Sequence, residues 1–120
     1  MKIGDTARQS RTFTSEDVAF LNRLTGCTPR ADTIPEPLIN SMFSDLLGMS
    51  LPGPGTNYLK QETRFPGHAR PGEALSASVE ITRLRPEKHL VDLATHCVGA
   101  DGRLIAEGRA LVLFAGTRPD

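Results

Sequence analysis

The residues able to move protons, attack a carbonyl or hold a metal are few in this chain, and their spacing limits what they do. Histidine occurs at 68, 89 and 96 and cysteine at 27 and 97. The cysteines are far apart and no two histidines stand three or four residues apart, so no ligand pair forms and no structural metal is expected. His96 and Cys97 are neighbours in a segment that reads as a strand. Their side chains then point to opposite faces, and a thiol–imidazole dyad is not expected. Cys27 needs a nearby base to become a nucleophile, and no histidine is close in sequence, so it reads as a small helix-end residue. His68 lies in a Pro/Gly turn and His89 opens a strand after a hairpin, and both read as surface residues. His68 keeps some interest as the one histidine in a loop able to face a pocket. Two carboxylates complete the set. Glu36 stands between Pro35 and Pro37 at a helix start, where the dipole alone favours an acid by about 0.3–1 kcal/mol. Asp32 lies in a proline-rich turn.

The elements that must position these groups are legible from period and punctuation. Thr14 with Asp17 three residues on, and Phe13 placed to staple onto Val18, predict a helix that ends at Thr25-Gly26. Val18, Leu21 and Leu24 would form its apolar face. Pro29, Pro35 and Pro37 make the next stretch irregular. A second helix follows, with Leu38, Ile39, Met42, Phe43, Leu46 and Leu47 in a wide apolar stripe, Pro37 in its first turn and Gly48 as its stop. Its other side carries Asn40, Ser41, Ser44 and Asp45, suited equally to solvent or to the wall of a narrow channel. After the rigid Leu51-Pro52-Gly53-Pro54-Gly55 turn the period changes to two, predicting strands over Thr56–Phe65, Ala74–Leu84, Leu90–Val98 and Leu104–Phe114. Hairpin-length links join the last three, and an antiparallel meander is expected. One greasy helix and one such sheet have a compact solution in which the sheet curls around the helix, an α+β single domain over residues 1–120.

Bulk properties exclude several classes. Fourteen basic and fourteen acidic residues cancel without runs, so neither nucleic acid nor an anionic membrane is an expected partner. No charged-then-apolar leader and no membrane-length apolar run are seen, which predicts a cytoplasmic chain with reduced thiols.

Phe13 to Gly26 resembles the entry helix of MaoC-like, (R)-specific enoyl-thioester hydratases, F-T-x-E-D-V-x-x-F-x-x-L-[ST]-G. More specific is Leu46-Leu47-Gly48-Met49-Ser50-Leu51-Pro52-Gly53-Pro54-Gly55-Thr56-Asn57-Tyr58-Leu59-Lys60-Gln61, which is similar to that family's L-L-G-x-x-L-P-G-x-G-[ST]-x-Y-L-x-Q passage from helix into sheet. Arg64-Phe65 and Arg70-Pro71-Gly72-Glu73 resemble the next landmark, with Pro66-Gly67-His68 disturbing its middle. The resemblance covers about residues 13–114 and implies the hot-dog fold, an antiparallel sheet wrapped around one central helix. It also implies a homodimer paired through sheet edges, with the thioester tunnel at that interface.

The same resemblance implies binding of an acyl-CoA or acyl-carrier-protein thioester as substrate, with no cofactor, in the enoyl-CoA hydratase and 3-hydroxyacyl-thioester dehydratase class of fatty acid metabolism. Adding water to an enoyl thioester needs a base for the water and an acid for the α-carbon, which the family supplies as Asp and His in G-D-x-N-P-x-H. Here Cys27 falls at the aspartate's position and Arg30 or Ala31 at the histidine's, so the pair is missing. The family's second device, a backbone N–H at the start of the central helix that stabilises the thioester oxygen, is kept. Pro35 and Pro37 leave Glu36, Leu38 and Ile39 as its donors. Some hot-dog thioesterases use a carboxylate on this helix, which makes Glu36, and less so Asp32, a catalytic candidate. Leu38, Ile39, Asn40, Ser41 and Tyr58 are the substrate-binding candidates, and Lys60 or Arg64 could meet a CoA phosphate. The rival expectations are a thioesterase using Glu36 and a non-catalytic subunit that pairs with an active hydratase.

Overall fold

The structure is a computed structural model and describes residues 1–25 and 33–114. In chain order the elements are β1 (Thr6–Thr12), α1 (Ser15–Thr25), α2 (Glu36–Met49), β2 (Thr56–Arg64), β3 (Ala74–Arg85), β4 (Leu90–Val98) and β5 (Leu104–Phe114). The five strands form one antiparallel sheet in the order β1-β3-β4-β5-β2.

Helix α1 begins with the reciprocal cap expected at Thr14. The Asp17 N–H donates to Thr14 Oγ1 at 3.1 Å, while the Thr14 N–H donates to Asp17 Oδ2 at 2.8 Å. Phe13 and Val18 are both buried, as the staple requires. Only that end of α1 is seated, because Phe20 and Leu24 are exposed, and Leu24 does not join the apolar face expected of it.

Helix α2 is the core's axis. Ile39, Met42, Phe43, Leu46 and Leu47 are all buried, and each such side chain stabilises the fold by roughly 1.5–3 kcal/mol. The stripe meets β1 and β2, the two edges of the sheet, as well as β3. A sheet touching one helix with both edges must curl around it, which is the hot-dog arrangement. The helix does not stop at Gly48. It runs to Met49, where the Ser50 and Leu51 N–H groups both donate to the Leu46 carbonyl, at 3.0 and 2.8 Å. These backbone bonds supply the termination that a C-terminal glycine would otherwise provide.

Strands β3, β4 and β5 form the expected meander. β3 and β4 alternate buried and exposed residues, which places Leu75, Ala77, Val79, Ile81, Val91, Leu93 and Cys97 in the core. Two features depart from the sequence expectation. β2 does not neighbour β3 but crosses to the far side and pairs with β5. β1 was not foreseen. Its Thr-Ala-Arg-Gln-Ser-Arg-Thr sequence lacks apolar alternation, and it is held by its ladder to β3 and by Gly4 and Ile81 N–H bonds at 2.9 Å on either side of the turn. Among the described residues no helix is long and apolar enough to cross a membrane.

Candidate functional site

The start of α2 is fixed from outside the helix. Ile34 is buried, and its N–H donates to the Ala69 carbonyl at 2.8 Å, so the chain entering the helix is tied to the loop between β2 and β3. That loop is itself held down. Gly67 lies so close to β5 that an added Cβ would run into the Leu104 carbonyl oxygen. Arg103 donates to the His68 carbonyl at 2.6 Å and to Glu73 at 2.9 Å, and it also pairs with Asp101. The Arg103 guanidinium holds the Glu73 carboxyl below its usual range.

Pro35 precedes the helix in an extended conformation and Glu36 is its first residue, with Pro37 next. Neither proline has an N–H to offer. The Leu38 N–H donates to the Pro35 carbonyl at 3.0 Å. Among the described residues the Glu36 N–H finds no backbone acceptor. It is thus a main-chain donor left at a positive helix end, and the Glu36 side chain above it is exposed.

One turn along, Asn40 faces β2. Its Oδ1 accepts from Gln61 Nε2 at 2.9 Å and from Thr63 Oγ1 at 3.3 Å, and Gln61 Nε2 also reaches Thr63 Oγ1 at 3.1 Å. All three side chains are half-buried. Sequence reasoning named Asn40 but missed its partners. Their signal was present, since Gln61 and Thr63 are alternate residues of a strand and so share its inward face. Farther down the same helix Ser44 acts on Tyr58 of β2. Desolvation pushes the Tyr58 phenol up to about 12 against the lowering influence of Ser44, even though the side chain is 37% exposed.

The remaining candidates are dispersed. Leu38 is half-buried against the core, Ile39 is buried within it, and the Ser41 hydroxyl donates back to the Leu38 carbonyl of its own helix. His96 is exposed while Cys97 is buried, on opposite faces of β4. His68 is exposed, and His89 takes the left-handed conformation (φ 56°) that closes the β3–β4 hairpin. Lys60 and Arg64 are outward and paired with Glu62 and Glu107. Cys27, Arg30, Ala31 and Asp32 lie outside the described residues.

A curled five-stranded antiparallel sheet around one apolar helix, with a free N–H at that helix's start, defines the hot-dog class. The solved (R)-hydratase of Aeromonas caviae involved in PHA biosynthesis superposes with a TM-score of 0.90. It is 30% identical, and the match covers 95% of this chain and 97% of that one. The curated (R)-specific enoyl-CoA hydratase of Aeromonas caviae is 30% identical over 126 residues, which is 93% of this chain and 94% of the relative. That of Rhodospirillum rubrum is 41% identical over 71 residues, 59% of this chain and about half (49%) of the relative's length. No protein-family model matches. The chain belongs to the MaoC-like family of (R)-specific enoyl-CoA hydratases. Its relatives support the enoyl-CoA hydratase and 3-hydroxyacyl-thioester dehydratase class.

Proposed function

We propose that this chain binds an acyl thioester, with the carbonyl oxygen on the Glu36 N–H, and that it does not itself hydrate an enoyl group. The observation that carries this reading is the Glu36 N–H, without a backbone acceptor among the described residues, at the start of a buried helix whose one first-turn carboxylate belongs to that same residue. Hydration needs a base to take a proton from water as its oxygen bonds to C3, and an acid to give one to C2. Cys27 and Arg30 or Ala31 stand where the family's Asp and His would do this, so the oxyanion donor is retained without the proton-transfer pair. The acyl group would be linked to CoA or to a carrier protein.

A second reading is favoured by the exposed Glu36 carboxylate beside that N–H. As a base it would activate water against the thioester carbon, the C–S bond would break, and the proton would pass to the departing thiolate. Incubation with crotonyl-CoA separates the outcomes. The proposal expects binding with neither loss of the enoyl absorbance nor release of free thiol. Loss of absorbance would refute it and demand a hidden base. Thiol release that disappears in Glu36→Ala would establish the thioesterase instead.

The proposal includes a homodimer formed through β2. That strand is a sheet edge and exposes Tyr58 and, at its bulge, Leu59, next to the ion-paired Lys60 and Glu62. An uncovered edge strand leaves backbone N–H and C=O groups free to pair with a second copy.

A further inference from the structure

The Glu36 N–H is set by a support that reaches it through two neighbouring carbonyls of the loop between β2 and β3. The Ala69 carbonyl accepts from the Ile34 N–H at 2.8 Å, two residues before Glu36, and the Ala69 and Ile34 side chains are both buried. The carbonyl before it, that of His68, accepts from Arg103 Nη2 at 2.6 Å. The same loop also holds the approach to α1, since the Gly72 N–H donates to the Phe13 carbonyl at 2.8 Å.

Arg103 is itself fixed. Its Nη2 also donates to Glu73 Oε1 at 2.9 Å, and its Nη1 donates to Asp101 Oδ1 at 2.9 Å. Glu73 is held in turn, because its Oε2 accepts from the Ala100 N–H and its Oε1 from the Arg70 N–H, both at 3.2 Å. Gly99 leaves the room this ion pair occupies. A Cβ there would run into Glu73 Oε2 and crowd the Arg103 guanidinium. The turn after β4 thus carries a guanidinium placed by two carboxylates, with one more hydrogen bond to give, and it gives that bond to the loop. Bonds from an ionised donor are the strong ones, and the loop lies outside the strand ladders.

We infer that Arg103 is a positioning residue for thioester binding, acting through His68, Ala69 and Ile34 to fix where the Glu36 N–H points. This rests on the function proposed above and adds the residue that aims its donor. A hydrogen bond weakens steeply with misalignment, so releasing the loop weakens carbonyl recognition while the buried stripe of α2 persists.

The test compares butyryl-CoA with S-butyl-CoA, in which a CH2 replaces the thioester carbonyl, by calorimetric titration of the full chain. The unaltered chain should bind the thioester about tenfold more tightly, the worth of one net hydrogen bond to the oxygen. In Arg103→Gln that ratio should fall toward one with the affinity for S-butyl-CoA unchanged, and the Ile34 amide should exchange its hydrogen faster. Arg103→Lys keeps a charge opposite Glu73 and serves if the first variant fails to fold. It lacks the planar fork that spans Glu73, Asp101 and the His68 carbonyl, so it should lose the ratio as well. A ratio that survives both substitutions, or an equal weakening of both ligands, would make Arg103 a structural residue only and overturn the inference with thioester binding intact. Equal affinities in the unaltered chain would remove the thioester reading and the role of Arg103 with it.

Discussion

At the scale of single residues, the environment of Cys97 decides its chemistry. Burial pushes its thiol up to about 11 and the Glu73 charge adds to the rise, so near neutral pH it is a protonated, enclosed group. Alkylation at about pH 8, read by peptide mass spectrometry, is expected to modify Cys97 only after unfolding. Rapid native labelling would show that the strand is not packed as described. Glu73 makes the complementary case. Its carboxyl is held below the ordinary range by Arg103, so the pair stabilises the fold above the unfolded carboxyl pKa and loses this contribution as pH falls through the lowered value. Glu73→Gln should therefore lower the melting midpoint by a few degrees near neutral pH. The gap should close in strongly acidic solution, as scanning fluorimetry across pH would show. Glu36 was legible as a candidate from its place between two prolines. The Asn40 partners were not, because a hydrogen bond between residues 21 positions apart leaves no local pattern.

At the scale of elements, three strand segments of the meander and the central helix followed from periodicity, since each has one buried face that must recur every two or 3.6 residues. β1 escaped for the same reason. It is a polar edge strand whose place is set by ladder bonds to β3, and such bonds do not depend on side-chain type. The position of β2 beside β5 escaped as well, because a long link between strands does not say which edge it returns to. That pairing depends on Gly108. A Cβ there would run into the Glu62 carbonyl oxygen, so β2 lies against β5 only where the side chain is absent. Gly108→Ala is expected to cost about 1–3 kcal/mol in chemical denaturation. An unchanged midpoint would mean that the two strands are spaced more widely than they are here.

At the scale of the whole molecule, the curled sheet, the loop pinned by Arg103 and the Ile34–Ala69 bond serve one end, the fixed start of α2. The proposed dimer belongs to this scale. A lysine in the bulge of β2, Leu59→Lys, should weaken it by about tenfold or more in sedimentation equilibrium, by placing a charge in the paired edge. The most direct test of the account as a whole is a crystal structure with bound butyryl-CoA. The thioester oxygen should lie about 3 Å from the Glu36 nitrogen, within hydrogen-bond reach. An acyl group seated elsewhere, with the Glu36 N–H turned to solvent, would contradict it.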